Sequence, residues 1–105
     1  MSPSSIATCT IVEAELRFGA AKSSDPITLT RLIDDTLAEI TVLPFDPAAA
    51  REYAAIRASL EASGSMIGGN DLLIAAMALA YDLVVVTHNT SEFERVPGLT
   101  VEDWE

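Results

Sequence analysis

Gly68-Gly69-Asn70-Asp71-Leu72-Leu73-Ile74-Ala75-Ala76-Met77-Ala78-Leu79-Ala80 opens with two glycines and an Asn-Asp pair, then runs on without a polar residue. A helix that is apolar all round must be buried on all sides. Asp71 therefore sits at the mouth of the most buried expected element, on the line between core and solvent. Soon after comes Leu83-Val84-Val85-Val86-Thr87, an apolar run of strand length that ends in His88-Asn89-Thr90. Such a run predicts a strand of a parallel sheet covered on both faces. Helix, strand and polar strand end together predict an α/β protein, in which ligands gather beyond the carboxyl ends of the strands.

The chain has 105 residues, half of them apolar, enough for one small domain with a modest core. Sixteen acidic residues against six basic ones give a net charge of -10. From Ala58 onward the imbalance grows to eight acids and one base, Arg95. A generic nucleic-acid binder carries a basic patch that neutralises phosphates, and this sequence has none. If the protein handles nucleic acid, a metal ion or a basic partner must offset its charge. The single cysteine, Cys9, excludes an internal disulfide and fits a reducing cytoplasm. Met1-Ser2-Pro3-Ser4-Ser5 has neither a basic n-region nor an apolar h-region, so no signal peptide is expected. The longest apolar run, from Leu72 to Tyr81, is too short to span a bilayer. A soluble, cytoplasmic, acidic protein is expected.

Outward from the central stretch, Ile6-Ala7-Thr8-Cys9-Thr10 predicts a short strand, followed by a helix over 11–22. On that helix Ile11, Ala14, Glu15, Phe18 and Gly19 share one face, with Glu13 and Arg17 on the other. Glu15 is thus a carboxylate set in an apolar stripe, either a stripe-edge residue that snorkels to water or a site residue. Ser23-Ser24-Asp25-Pro26 signals a helix start. Leu29, Leu32, Ile33, Leu37 and Ile40 mark that second helix, with Asp34-Asp35 as its solvated face. Thr41-Val42-Leu43-Pro44-Phe45 predicts a strand near an edge, because Pro44 cannot donate to a ladder. Asp46-Pro47 is an N-cap followed by proline at the first helical position. Ala49, Tyr53, Ile56 and Leu60 line the third helix, which stops at Gly64. Residues 90–94 predict a single turn, Pro97-Gly98 a further turn, and Leu99 to Trp104 a short edge strand. The alternation favours a parallel sheet with helices on both faces.

From the residues alone, the candidates for chemistry are Glu15, Asp71 and the group His88, Asn89 and Glu92. Asp at a helix start is ordinarily a cap, and Asn89 and Thr90 after a strand are ordinary turn formers. His88, the only histidine, makes a poor zinc site without a second His or a Cys. Topology raises the functional reading, since residues just after the first and third strands lie on one rim. The helix that carries Asp71 feeds the third strand, so its N-terminus can return to that rim. Several oxygen ligands there would suit Mg²⁺ or Mn²⁺, which keep waters and take one or two carboxylates plus substrate phosphates.

Three ordered motifs carry a family resemblance. Thr10-Ile11-Val12-Glu13-Ala14-Glu15-Leu16-Arg17-Phe18-Gly19-Ala20 resembles the T-x-x-x-A-E-L-R-[YF]-G-A segment of the PIN-domain toxins called VapC. Ile67-Gly68-Gly69-Asn70-Asp71-Leu72-Leu73-Ile74-Ala75-Ala76 is similar to their I-G-x-[NH]-D-L-L-I-A-A segment. Val86-Thr87-His88-Asn89-Thr90-Ser91-Glu92-Phe93-Glu94-Arg95-Val96-Pro97-Gly98-Leu99 is similar to V-T-x-N-x-x-[ED]-F-x-R-[VI]-P-G-L. The resemblance covers the chain from about Ser5 to its end. It implies a Mg²⁺-dependent endoribonuclease of a toxin–antitoxin pair, with Mn²⁺ as an alternative ion. It also implies a homodimer and silencing by a VapB antitoxin whose C-terminal segment lies over the active site.

By motif position, the resemblance assigns Glu15 and Asp71 as the second and third acidic residues of the family's quartet and as metal ligands. The fourth position falls at Asn89, where some members have Asp and many have Asn. Thr87 would be the hydroxyl that orients this end of the site, with Glu92, His88 and Asn70 as accessory residues. The implied mechanism is metal-assisted hydrolysis of a phosphodiester.

The family's chain begins with an apolar strand ending in D-T-[NS], and no such strand precedes Ser5. Residues 1–105 are therefore expected to form one PIN-like domain, N-terminally truncated by about one strand-plus-helix unit. The family's sheet order, 3-2-1-4-5, makes that strand central, so its neighbours would be left with unpaired edges. The first acidic ligand has no counterpart, and two carboxylates and an amide hold an ion less well than three carboxylates. An inactive PIN remnant that binds an antitoxin or a second copy of itself is the alternative expectation.

Overall fold

The structure, a computed structural model, describes residues 7–103. Residues 1–5, Ile6 at the start of the first expected strand and Trp104 at the end of the last lie outside them. The element order is β1 (Ala7–Cys9), α1 (Thr10–Ala21), α2 (Pro26–Leu37), β2 (Thr41–Leu43), α3 (Pro47–Ser63), α4 (Gly69–Ala80), β3 (Val84–Val86), α5 (Thr90–Phe93) and β4 (Thr100–Glu102). This is the α/β alternation the sequence predicts. The chain forms two compact units, Met1–Pro44 and Phe45–Glu105.

In the first unit β1 and β2 pair in parallel, with Ala7 opposite Thr41 and Cys9 opposite Leu43. Pro44 follows directly after β2, as expected of a residue that cannot donate to a ladder. Cys9 is a buried free thiol. Asp25 caps α2 by accepting from the Thr28 N–H at 3.2 Å, with Pro26 in the first turn. The expected faces of α1 need correction. Ala14 and Glu15 are exposed and Phe18 is 66% exposed, whereas Ala20 is buried and Glu13 and Arg17 are half-buried. Residues 13, 17 and 20 are spaced four and three apart and so form the covered face. Arg17 lies on that face because it bridges two helices: its Nε donates to Glu13 Oε2 at 2.7 Å and its Nη2 to Asp34 Oδ1 at 2.9 Å. Asp34 is therefore a tie between α1 and α2 rather than only a solvated residue. Exposed ion pairs of this kind add little stability.

The second unit is organised by α3 and α4. Asp46 Oδ1 accepts from the Ala49 N–H at 3.0 Å, Pro47 occupies the first turn, and Gly64 ends α3 in the left-handed region at φ 69°. Ala49, Ile56 and Leu60 are buried on α3, and Leu72, Ala75, Ala76, Met77 and Ala78 on α4. No residue of 71–80 is exposed, as an all-apolar helix requires. Tyr53 stacks edge-on against Phe45 with ring centroids 6.3 Å apart, which makes it a packed aromatic. The core is completed by Ile67, Val85, Phe93 and Val96.

β3 and β4 pair in parallel, with Val85 opposite Val101. Among the described residues β1 pairs only with β2, and β3 only with β4. The expectation that β3 is covered on both faces is overturned. Val85 is buried, but Val84 and Val86 are 46% and 57% exposed. The core meets the strand only on the side of Val85, and a run of three valines carries no alternation from which that side could be read.

Asp46 also links the two ends of this helix pair, because Oδ2 accepts from the Tyr81 hydroxyl beyond the end of α4. The Tyr81 hydroxyl and then the Ala49 amide hold the Asp46 carboxyl below its ordinary value. The same bond holds the Tyr81 hydroxyl above its own. A lowered carboxyl stabilises the fold above its unfolded pKa, about 3.9, and loses that effect as pH falls through the folded value. A raised phenol stabilises below about 10 and loses its effect as pH rises through the folded value. The urea midpoint of Asp46→Ala is therefore expected to fall below that of the unsubstituted chain at pH 7. The difference should shrink toward both extremes of pH, and a difference constant from pH 7 to pH 2.5 would refute the linkage.

Candidate active site

The site is built where α4 begins and β3 ends. Residues 65–68 run in without regular structure, and Gly68 is the N-cap of α4 at φ -58° and ψ 149°. Its carbonyl accepts from the Leu72 N–H at 2.9 Å. Asp71 is consequently a residue of the first helical turn rather than the cap, and no side chain caps this helix. Free N–H groups at a helix start favour a carboxylate there. On the other side, the Thr87 N–H donates to Glu102 O at 3.0 Å, one residue beyond the β3 strand. Thr87 Oγ1 accepts from the Asn89 N–H at 3.0 Å, which sets Asn89 at the start of α5.

Asn89 then joins the two sides. Its Nδ2 donates to Asp71 Oδ2 at 3.2 Å and to Glu92 Oε2. The other Glu92 oxygen, Oε1, accepts from the Gly68 N–H, and the Asp71 carboxylate lies beside Glu92. Gly68, Asp71, Asn89 and Glu92 thus close a ring of contacts. The Gly68 amide, and after it the Asn89 side chain, hold the Glu92 carboxyl below its ordinary value, and the charge of Arg95 acts the same way.

Glycine at 68 leaves room beside the two carboxylates. A Cβ there would lie 3.3 Å from Glu92 Oε1 and 3.6 Å from Asp71 Oδ2, in the space between the two carboxylates.

The structure thus brings together Asp71, Thr87, Asn89 and Glu92. Glu92 stands inside the ring rather than at its margin. Asn70 is exposed beside Asp71 in the first turn of α4. His88 Nδ1 lies 3.7 Å from Asp103 Oδ1, with both side chains about half exposed. Glu15 is exposed on α1, in the first unit. Two further residues of the site have no role legible in the sequence: Gly68, and Arg95, whose Nη1 donates to Met66 O at 3.0 Å. The Gly-Gly pair and the lone base of the acidic C-terminal half were the available signals.

The donor set can be tested against a divalent ion. Asp71 and Glu92 supply hard carboxylate oxygens, the ligand type Mg²⁺ and Mn²⁺ prefer, and one or two carboxylates beside waters and phosphate suffice for Mg²⁺. The Asn89 amide directs its N–H donors at both carboxylates. Among the described residues no group of three or more His, Cys, Asp or Glu is placed to hold a metal ion. The residues fit a lightly held ion that also uses substrate oxygens.

A strand-end carboxylate cluster on an α/β frame defines a class, and comparison with known proteins specifies it. The sequence matches the PIN domain over residues 1–99. It is 42% identical to Ribonuclease VapC2 of Haemophilus influenzae over 94 residues, covering 90% of this chain and 71% of that protein. It is 44% identical over 90 residues to the tRNA(fMet)-specific endonuclease VapC of Shigella flexneri, covering 86% of this chain and 68% of that one. Among solved structures, that of VapBC2 from Rickettsia felis bound to a DNA fragment from their promoter aligns with a TM-score of 0.91. The identity there is 38%, covering 95% of this chain and 75% of that chain. The chain belongs to the PIN-domain family and, within it, to the VapC ribonucleases.

Proposed function

We propose that this chain is the endoribonuclease of a VapBC-type toxin–antitoxin pair and cleaves RNA by hydrolysis assisted by Mg²⁺ or Mn²⁺. The observation that carries the proposal is the ring at the α4 start, in which Asn89 holds Asp71 and Glu92 side by side. Family membership supplies the reaction class. An ion there contributes charge, offsetting phosphate and lowering the pKa of water. The residues do the rest. Asp71 and Glu92 would hold the cation, while Asn89 keeps their oxygens together and Thr87 fixes Asn89 through its backbone N–H. Glu15 is assigned as a further ligand by its motif position alone. A net charge of -10 makes a cation essential for approach of RNA, and makes a basic antitoxin segment the natural inhibitor. Self-association as a homodimer is part of the same proposal. No helix among the described residues is long and apolar enough to cross a membrane.

Cleavage of a tRNA pool and of a single-stranded RNA by the purified chain tests this reading. Activity is expected with Mg²⁺ or Mn²⁺, and its loss with EDTA or on adding a VapB chain. One observation favours a second reading, a PIN module that binds an antitoxin without catalysis: the described residues offer no third acidic ligand at the ring. Antitoxin binding by a chain that cleaves no RNA in either ion would select that reading.

A further inference from the structure

The carboxylate ring depends on where residues 66–68 lie, and these residues have little to hold them. They belong to no helix or strand, and they end at Gly68, a residue type whose backbone is permissive. Ile67 is buried in the core and anchors the segment by its side chain, and the Gly68 carbonyl accepts from the Leu72 N–H. The partner element is equally weak by itself. α5 has four residues, far fewer than an isolated helix needs. Phe93 and Val96 fasten its apolar side.

Two polar links then join these elements. Glu92 Oε1 accepts from the Gly68 N–H, and Arg95 Nη1 donates to Met66 O at 3.0 Å. Glu92 and Arg95 are three residues apart, so they share one side of the turn. Met66 O and Gly68 N belong to alternate residues of the same non-helical segment. Arg95 is also the single base after Ala58.

We infer that Arg95 is a positioning residue, which by gripping Met66 O holds the Gly68 N–H against Glu92 and so keeps the Asp71–Glu92 pair aligned to take a cation. Arg95 touches neither substrate nor ion in this role. The inference rests on the proposed function for the purpose of the pair, but the clasp can be tested without it.

The experiment uses the whole chain and its Arg95→Met and Arg95→Lys variants. Hydrogen exchange at the Gly68 amide, followed by NMR, reports the clasp. Titration with Mn²⁺ reports the carboxylate pair, and RNA cleavage reports its use. Arg95→Met is expected to speed Gly68 exchange and to weaken Mn²⁺ binding by about 10-fold, as loss of groups that orient metal ligands does. It should lower kcat by a similar factor while KM for RNA stays the same. Arg95→Lys, which can still donate to Met66 O, should recover much of each effect. Unchanged Gly68 exchange in Arg95→Met would overturn the inference. So would a raised KM with unchanged kcat, which would make Arg95 a contact for the RNA backbone. If the unsubstituted chain neither binds Mn²⁺ nor cleaves RNA, the functional proposal fails, and Gly68 exchange alone still decides whether Arg95 forms the clasp.

Discussion

Asp71→Asn is expected to lower metal-dependent RNA cleavage by about 10³-fold while leaving the fold intact. The size follows from what a bound cation supplies. Stabilisation of developing charge by a metal amounts to several kcal/mol, and about 4 kcal/mol corresponds to three decades in rate. Asparagine is the right shape to replace Asp71, so the first turn of α4 keeps its packing. It still offers an oxygen to the Asn89 amide, which donates to Asp71 Oδ2 at 3.2 Å. What is lost is one of the two charges of the ring and with it most of the attraction for a divalent ion. Loss of a carboxylate near a helix start costs about 0.3–1 kcal/mol, and relief of like charge beside Glu92 opposes even that. The measurement is cleavage rate in Mg²⁺ and in Mn²⁺ beside a urea unfolding curve. Retained activity with an unchanged fold would remove Asp71 from the mechanism. A large loss of stability would instead show that Asp71 acts as a structural residue.

Leu72→Ala should have the largest effect on stability, about 3 kcal/mol, within the range of about 2–5 kcal/mol for emptying a fully buried leucine site. Leu72 is 1% exposed and belongs to the core with Ile56, Leu60, Ala75 and Phe93. The cavity would be hard to close. Its surroundings on α4 are alanines already at their smallest, and α3 is anchored at both ends, by Asp46 and by the Gly64 turn. For a unit of this size about 3 kcal/mol corresponds to a Tm lower by about 12–24 °C. It is also a large share of the 5–15 kcal/mol typical of a native domain. Leu73, the next residue, is only half-buried, and Leu73→Ala should cost clearly less. Thermal melts of both variants check the ranking. Equal losses would mean that α4 is not oriented as described.

The candidate site was legible in part, and the limits are instructive. Asp71, Asn89 and Glu92 stand out from the residues alone, at a helix start and just past a strand end where polar residues interrupt apolar runs, and Thr87 only through the family motif. The motif makes Glu92 only an accessory, since nothing in its local sequence shows that its carboxylate accepts from a backbone amide 24 residues away. Gly68 and Arg95 carry no local signal of their roles for the same reason. Their work lies in a Cβ that is absent and in a carbonyl at Met66, and neither is written in residue type.

Local physics determined the elements of this protein. Caps at Asp25 and Asp46, the stop at Gly64 and the all-apolar run of α4 are properties of neighbours along the chain, so their boundaries follow from sequence. The parallel α/β class followed as well, because only alternating helices and strands fit that order. What only the tertiary structure decided is which faces are covered. Periodicity placed Ile11, Ala14 and Phe18 on one side of α1, yet the covered side carries Glu13, Arg17 and Ala20, since Asp34 on a second helix pairs with Arg17. Three valines in β3 could not reveal that the core reaches Val85 and leaves Val84 and Val86 exposed. A side-chain period records which residues point the same way; what lies opposite them depends on partners distant in sequence, and those partners also join Asp71, Asn89 and Glu92 into one site.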